Sequence, residues 1–379
     1  MAGALVTTNI LQTLVAMGLN ALREQIVLTK LVNRNYENLI VGATRGSTVN
    51  VSVPAAVATR TVSPDVVPPA VTAVTPTSVA VTLSEWKEAP FAIDDKGLAQ
   101  VAAGIIPMQA SEAVKALANE IDNFLWGKYK SFYGFAGTAG TVPFATDLGE
   151  YLDARKVANE QIMPMEPRYM LIDTDAEANA LGLRAFQDAS FGGGSDVIVN
   201  GQIGRKLGAL WAMTQNVPTH TAGTWTDAGT TTGTNAAGQA TVNLTGGTGS
   251  LLVGDIITFS GADTQTYTVL TATGTAPTTA ITVSPNLVTA KSSSETVTNK
   301  ATHKVNLLIH RDAIAFAMAP LNDAAGIAGI LPPATAVDEE SGLSLRLEVT
   351  RQHKQLQWSF DALYGASVIR PELGVRLAG

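Results

Sequence analysis

The four histidines are the side chains best suited to acid–base or metal chemistry, but their spacing does not indicate a site. They are His220, His303, His310 and His353, and no two of them are four positions apart, the spacing that places two ligands on one helix face. The chain has no cysteine, which excludes disulfides and thiolate ligands. We therefore interpret the histidines as solvated or hydrogen-bonded side chains, and we expect no metal.

The glycine-rich and acidic stretches also lack the patterns of catalytic sites. "GFAGTAG" (134–140) and "FGGGS" (191–195) have neither the lysine of a phosphate-binding loop nor the strand–turn–helix order of a dinucleotide site. No G-x-S-x-G hydrolase motif occurs, and we interpret Asp94 and Asp95 as charges at a helix N-terminus. The sequence thus predicts no enzyme activity, no catalytic residue and no cofactor.

The charge content argues against a broad nucleic-acid-binding surface. The formal net charge is −7, and the basic residues of "TRQHKQLQW" (350–358) are best explained as an exposed strand face. Only 15% of residues are charged, whereas about 25% is usual in globular domains. This low charge content favours a chain that gives much of its surface to other subunits.

Several helices and strands are predicted from hydrophobic periodicity. Residues 4–35 indicate an amphipathic helix with Leu14, Val15 and Leu22 on one face, which is a better explanation than a secretion signal because no basic residue precedes Arg23. Residues 94–132 indicate a long helix divided by Pro107. Further helices are predicted at 147–160 and 175–189, and strands at 168–173 and after residue 206.

Residues 46–92 predict a long hairpin without a core of its own. Its two arms alternate apolar with polar or small residues, and proline-rich sequence with only two charged residues, Arg60 and Asp65, separates them. Nothing beside the hairpin in sequence can cover its apolar positions. We therefore expect the hairpin to contact a neighbouring subunit, with Arg60 and Asp65 in inter-subunit ion pairs. The predicted contact residues are Val49, Val51, Val53, Arg60, Asp65, Val79, Val81 and Leu83.

Residues 221–303 differ in composition from the rest of the chain. They are rich in threonine, glycine and alanine, and short alternating runs such as "ATVNLT", "DIITFS", "TYTVLTA" and "AITVS" recur about every ten residues. The earlier mixed composition resumes at "VNLLIHRDAIAFAMAPL" (305–321). This pattern predicts an inserted all-β domain, either an immunoglobulin-like sandwich or a small barrel.

The order of these elements resembles that of the major capsid (coat) protein of tailed bacteriophages, which has the HK97 fold. It is most similar to the short-tailed-phage (podovirus) branch, whose coat protein carries an inserted β domain. The stretches that carry the resemblance are "LVNRNYENLIVGATRGSTVNVSVP", "IIPMQASEAVKALANEID", "IGRKLGALWAMTQNVPTHTAGT", "LLVGDIITFSG" and "DALYGASVIRPELGVRL".

The resemblance implies an α+β, HK97-like capsid fold with a defined division of the chain. The implied parts are an N-terminal arm (1–45), an extended E-loop hairpin (46–92), a peripheral domain with the spine helix (93–144 and 342–379), an axial domain (145–220 and 304–341) and the inserted β domain (221–303).

The function implied by the resemblance is self-assembly into the icosahedral shell of a tailed phage, around its double-stranded DNA genome. The implied partners are copies of the chain in hexamers and pentamers, scaffolding and portal proteins, and packaged DNA bound without sequence specificity; no membrane is implied. The implied location is the virion, assembled in the host bacterial cytoplasm. Two alternatives stay open: an encapsulin-type compartment shell around protein cargo, and a β-rich adhesion or surface protein.

Overall fold

A computed structural model of the chain describes residues 12–19, 22, 27–34, 46–55, 57, 59–62, 64, 71, 73–95, 105–187, 200–226, 229–261, 263–274, 276–321, 334–337 and 343–379. The chain divides into two compact units. Unit 1 contains the described residues of Met1–Leu19, Arg34–Ala113 and Ala315–Ile369. Unit 2 contains those of Asn20–Asn33, Val114–Ile314 and Arg370–Gly379.

The helices and strands are numbered in chain order. The first half of the chain contains α1 (Leu28–Leu31), β1 (Thr48–Val53), β2 (Thr77–Thr82), β3 (Glu85–Asp94), α2 (Ile105–Trp126), β4 (Gly134–Ala136), α3 (Gly149–Glu160), β5 (Arg168–Ile172), α4 (Thr174–Gly182) and α5 (Arg184–Gln187). The second half contains β6 (Arg205–Lys206), β7 (Ala209–Met213), β8 (Thr219–His220), β9 (Thr230–Thr231), β10 (Thr241–Thr245), β11 (Ile256–Phe259), β12 (Tyr267–Thr273), β13 (Ala280–Ser284), β14 (Val297–Asn299), β15 (His303–His310), β16 (Ile314–Ala319), β17 (Ala334–Val337), β18 (Ser344–Gln352), β19 (Gln355–Val368) and β20 (Gly374–Ala378).

Unit 1 is built on a hairpin and a five-stranded sheet. Strands β1 and β2 form the hairpin, with Val49 opposite Val81 and Val51 opposite Val79. The sheet has the order β16-β19-β18-β17, and β3 also pairs with β19. Exposure alternates from residue to residue along β3 and along most of β18, as expected for strands with one more buried face.

Unit 2 is built on a seven-stranded sheet. Its strand order is β4-β20-β15-β5-β7-β6, and the short β8 pairs with β15. Helix α3 packs on this sheet through its small and aromatic face. Trp211 of β7 lies at the centre of an aromatic cluster with Phe144, Tyr151 and Phe186, whose ring centroids are 4.9–5.5 Å from its own. The predicted strand at 168–173 and helix at 147–160 are thus present, with shorter bounds. The helix predicted at 175–189 is instead two helices, α4 and α5, and residues 188 and 189 lie outside the described residues.

The predicted inserted domain is a closed six-stranded barrel. Its strand order is β14-β11-β12-β13-β10-β9, and every pair is antiparallel. The first and last strands meet through a bridge between Thr230 and Thr296, with the Thr231 N–H 2.9 Å from the Glu295 carbonyl oxygen. This bridge joins the two ends of the sheet, which indicates a barrel rather than a sandwich. The barrel core comprises Trp225, Val242, Leu244, Leu251, Ile257, Phe259, Tyr267, Val269, Ile281, Val283, Leu287 and Val297.

The long helix ends earlier than predicted, and residues 96–104 of its predicted range lie outside the described residues. Residues 85–94 form strand β3, because all ten of them pair in register with β19. Strand β3 ends at Asp94, and Asp95 after it is helical and lies 2.9 Å from the Arg351 guanidinium. Because the residues that follow Asp95 are not among those described, its predicted role at a helix N-terminus stays a prediction. Helix α2 ends at Trp126, and residues 127–131 continue as a tighter 3₁₀ turn, which is common at helix ends.

The sheets do not follow the peripheral and axial boundaries expected from the sequence. Strands β4 and β20, expected in the peripheral part, belong to the same sheet as β5, β7 and β15. Strands β16 and β17, expected in the axial part, pair with β19 and β18. The physical reason is that sheets form by non-local pairing, which chain order does not reveal. In the expected N-terminal arm, residues 12–19 are helical, and Leu14, Val15 and Leu22 are buried.

Candidate assembly interface

The base of the hairpin is held by the chain's own strands. Its inward side chains Val51, Val81 and Leu83 are at most 2% exposed and pack with Leu363 of β19. The same cluster includes three alanines of β16, namely Ala315, Ala317 and Ala319. Alternate residues of a strand lie on the same face of the sheet, so these three alanines form one surface of small side chains. The base of the hairpin packs against this surface, which we call its seat.

Gly365 of β19 lets the hairpin approach this closely. A Cβ added at Gly365 would overlap the carbonyl oxygen of Thr82 at the end of β2. Two backbone bonds extend the hairpin beyond its strands, since Gly46 donates to Leu83 and Leu83 donates to Ser47, both at 2.9 Å. The hairpin base is therefore a fixed part of unit 1.

This packing corrects half of the predicted inter-subunit contacts. Val49, Val51, Val81 and Leu83 are buried within their own chain, so they have no free surface for a neighbouring subunit. The sequence showed that these positions needed cover, but β16 and β19, which supply it, lie far away along the chain.

The other predicted contact residues stay candidates. Val53 and Val79 are half-buried, and Arg60 is exposed. Asp65 lies outside the described residues. The predicted inter-subunit ion pairs of Arg60 and Asp65 therefore remain predictions.

The loop that joins β1 to β2 carries the apolar surface of the hairpin. We call residues 54–76 the distal segment; its described residues belong to neither helix nor strand. Four valines in it are exposed: Val57 by 73%, Val62 by 87%, Val71 by 84% and Val74 by 53%. Hydrophobic periodicity did not identify these four valines, because they do not alternate with polar residues. The scarcity of charged residues in the segment could have indicated an apolar surface.

An exposed apolar segment of this kind indicates a protein contact. Burial of a valine side chain contributes about 1.5 kcal/mol or more, so four valines would contribute roughly 6 kcal/mol before entropy losses. Among the described residues of the distal segment, Arg60 is the only charged one. Low charge lowers the cost of desolvating the segment against a partner.

The structure places the histidines in different environments. His220 and His303 are buried side by side with ring centroids 5.4 Å apart, His310 is buried elsewhere in unit 2, and His353 is exposed. The spacing of the histidines along the sequence did not indicate that His220 and His303 are adjacent. Both residues lie at the borders of the compositional change at 221–303, which could have indicated it. Within the described residues, no group of three or more His, Asp or Glu side chains could hold a metal ion.

A cleft of about 310 Å³ lies beside β7 in unit 2. Its walls include Trp211, Leu210 and Met213, and Glu177 is the only ionisable residue among those that line it. Burial raises the pKa of the Glu177 carboxyl. Among the described residues that line the cleft, none is a second acid or a nucleophile beside Glu177.

No protein-family model matches the chain, and no curated protein matches it. Among solved structures, the chain is similar to one of Mycobacterium phage Che8, with 16% identity, a TM-score of 0.50 and coverage of 93% of this chain and 90% of that chain. It is also similar to the capsid structure of the cyanophage P-SCSP1u, with 13% identity, a TM-score of 0.51 and coverage of 94% and 97%. In the described residues, no helix is both long and apolar enough to cross a membrane. The chain therefore has the α+β, HK97-like fold of phage capsid proteins, with a β-barrel inserted between β8 and β15.

Proposed function

We propose that this chain is the major capsid protein of a tailed phage, and that it self-assembles into an icosahedral shell around double-stranded DNA. The observation that carries the proposal is the distal segment, which exposes four valines at the end of a firmly seated hairpin. Its fold, similar to that of the cyanophage capsid structure, supports a shell-forming role.

The hairpin geometry suits a contact between copies of the chain. At roughly 3.3 Å per residue, the distal segment begins about 10 Å beyond Val51, the last residue of β1 in the buried cluster. Prolines 54, 64 and 76 restrict the backbone, which reduces the entropy lost when the segment becomes ordered on a neighbour. In a closed shell every subunit repeats this contact, so that modest interfaces add up to a stable particle.

The remaining partners are expectations from the same proposal. Copies of the chain would form hexamers and pentamers, aided by scaffolding and portal proteins in the host cytoplasm, as in the short-tailed branch. The net charge of −7 favours DNA that is confined in the shell over DNA held by specific contacts. We expect the arm, hairpin, peripheral, axial and inserted domains that the resemblance to the coat protein implies. Strands β4 and β20 would belong to the axial domain instead of the peripheral domain.

Shortening of the hairpin tests the proposal. Because Val53 and Thr77 are paired, an Asn-Gly turn can replace residues 54–76 without disturbing β1 and β2. We expect a folded subunit that forms no shells under electron microscopy. Shells of normal size and yield from this variant would contradict the proposal.

A matched substitution separates apolar contact from loop length. Replacement of Val57, Val62, Val71 and Val74 by threonine keeps their shape and removes their apolar surface, so assembly should decrease strongly. The control is Val288→Thr, because Val288 is 61% exposed but lies in the barrel. Nuclease-protected DNA in the particles would support a phage shell, whereas protein cargo alone would support an encapsulin-type compartment.

A further inference from the structure

Five titratable side chains are buried together where the barrel joins the seven-stranded sheet. We call them the root cluster, and each is at most 4% exposed. Its members are Tyr129, His220, Asp255, His303 and Arg376. The proposed shell function uses none of them, and both the barrel and the sheet belong to unit 2.

A chain of hydrogen bonds crosses the root cluster from Tyr129 to Asp255. The Asp255 carboxylate also accepts bonds from the backbone N–H groups of Gly223 and Leu252 and from the Asn299 side-chain amide. A carboxylate surrounded by donors accepts only, so Nε2–H of His220 donates to it at 2.9 Å. Nδ1 of His220 is then the acceptor for the Tyr129 hydroxyl, also at 2.9 Å. A neutral His220 satisfies both bonds.

Arg376 connects the sheet to the barrel. It lies on β20, and its guanidinium donates to the Gly254 carbonyl oxygen at 2.6 Å and to the Thr268 hydroxyl oxygen at 3.0 Å, both in the barrel. The Thr268 hydroxyl in turn donates to the carbonyl oxygen of Lys130 at 2.8 Å. The barrel is thus fastened by a buried cation as well as by its two covalent connections.

His303 is buried as a neutral ring beside this cation. Its Nδ1–H donates to the Ala301 carbonyl oxygen at 2.7 Å, and its ring stacks edge-on to Phe135. Burial, more than any other influence, lowers the pKa of His303 to about 4, and the charges of His220 and Arg376 act in the same direction. The proximity of Asp255 acts in the opposite direction, as does the bond to Ala301.

The root cluster is only partly satisfied. Nε of Arg376 and Nε2 of His303 are buried and have no hydrogen-bond partner in the described part of the chain. A half-satisfied buried network is costly, so the fastened arrangement is not favoured by a wide margin. Two more cations adjoin it: the Lys130 side chain beside Gly254, and Lys300 over the ring of Phe135. Asp255 is the one carboxylate within the cluster.

We propose that the root cluster is an acid-sensitive lock, which holds the barrel against the sheet while His303 is neutral and releases the barrel, still folded, when His303 takes up a proton. That proton would add a positive charge beside Arg376, in a site with a single anion. Such like charges repel strongly where water is excluded.

The direction of the pH dependence follows from His303. Its pKa is about 4 in the fastened state and 6.5 as its ordinary value, so the released state binds more protons between these two values. The lock therefore weakens as pH falls through this window. At the lower end, the equilibrium between the two states should have shifted on the order of a hundredfold.

Spin labels can detect the release in the unassembled full-length subunit. The chain has no cysteine, so a spin label attaches only at cysteines that are introduced. The label pair is Lys156→Cys on α3 and Ser293→Cys in the barrel, and both positions are exposed. We expect a single narrow distance near pH 7.5 and a broad distribution near pH 4.5. A second pair within the barrel, Thr245→Cys with Ser293→Cys, should keep its distance, because the barrel itself stays folded.

Two variants and one control make the test specific. His303→Asn keeps a donor for the Ala301 carbonyl but cannot take up a proton, so its broadening midpoint should move down by about one pH unit or more. Arg376→Gln removes the guanidinium group, which donates to two barrel residues, and should release the barrel even near pH 7.5. The control His353→Asn alters an exposed histidine and should keep the original midpoint.

Two results would overturn the lock. One is an unchanged narrow distance in the unmodified subunit down to about pH 4.5; the other is an identical midpoint in the unmodified subunit and His303→Asn. If Arg376→Gln fails to fold, the comparison of midpoints between the unmodified subunit and His303→Asn still tests the lock. The measurement uses free subunits, so it does not depend on shell formation.

Discussion

Single side chains decide how firmly the long strands of unit 1 are held. Arg346 of β18 and Asp361 of β19 form a largely buried ion pair, with the Arg346 Nε 3.0 Å and Nη2 2.5 Å from the two carboxylate oxygens. The Trp86 indole of β3 donates to the same carboxylate at 2.9 Å. One aspartate thus connects three adjacent strands, which no sequence motif indicated.

We predict that Asp361→Asn lowers the free energy of unfolding by about 3 kcal/mol, because it removes the closer of the two carboxylates that face the largely buried Arg346 charge and leaves Glu348, 3.9 Å away. Urea denaturation of the unassembled subunit measures this change. The double variant Arg346→Met/Asp361→Leu removes both charges and should recover most of the loss. Arg351→Ala is the matched control: its pair with Asp95 is exposed, so a change below about 1 kcal/mol is expected.

Asp122 on α2 gives a second prediction at this scale. It is buried, and its carboxylate accepts from the backbone N–H of Leu28 at 3.0 Å and from the Asn216 side-chain amide at 3.3 Å. Burial raises the pKa of Asp122 above 3.8, despite the opposing effect of these bonds. The folded state therefore binds more protons than the unfolded state just above that value, and stability falls as pH rises through this window.

Asp122→Asn should consequently stabilise the subunit at neutral pH, since it keeps an acceptor for Leu28 and removes the buried charge. The advantage should disappear below pH 3.8, where the carboxyl is protonated in both states. Thermal unfolding of both proteins over a pH series provides the measurement. A neutral-pH stability below that of the unmodified chain would show that the charge is needed for the two bonds.

At the scale of elements, the seat of the hairpin depends on Gly365. Any side chain there would meet the backbone of β2 at Thr82, and backbone cannot move aside as a flexible side chain can. We predict that Gly365→Ala costs about 1–3 kcal/mol and loosens β1 and β2 from β19. Hydrogen–deuterium exchange of the β1 and β2 amides should accelerate, while exchange in β5 and β15 stays unchanged.

The control for this substitution is Gly182→Ala at the end of α4. Nothing lies within 4 Å of a Cβ added there, and alanine is the better helix former. It should leave hairpin exchange unaltered. Equal protection of β1 and β2 in Gly365→Ala and the unmodified chain would mean that the hairpin is not seated on β19.

Elements with a strong local pattern could be predicted, and those defined by distant partners could not. The runs "ATVNLT", "DIITFS", "TYTVLTA" and "AITVS" contain β10, β11, β12 and β13, because each alternates within itself and ends at turn residues. Strand β3 was assigned partly to the hairpin and partly to a helix. Its identity as a sheet strand comes from β19, more than 260 positions away in the register Gln355 to Asp94.

At the scale of the whole molecule, the sequence shows which surfaces need cover but not what covers them. Alternation along β1 and β2 indicated a half-buried hairpin, yet it was compatible with burial by the same chain or by a neighbour. The structure assigns the base to the chain's own β16 and β19 and leaves the distal valines exposed. Burial by a second copy is therefore proposed for the distal segment alone.

The barrel offers the last prediction, because it has its own core and its two end strands are joined by a bridge. We expect residues 221–302, expressed alone, to fold and to unfold cooperatively in urea, with water replacing the bonds from Arg376. Trp225 is the only tryptophan in this fragment; it is buried, and its indole donates to the Val297 carbonyl oxygen at 3.1 Å, so its emission should shift to longer wavelength on unfolding. A fragment that begins at residue 233 lacks both β9, which is bridged to the strand region of β14, and the core residue Trp225. Its urea transition, followed by circular dichroism alongside that of the longer fragment, should be broad. If the longer fragment shows the emission of an exposed tryptophan without denaturant, the barrel depends on the sheet for its fold.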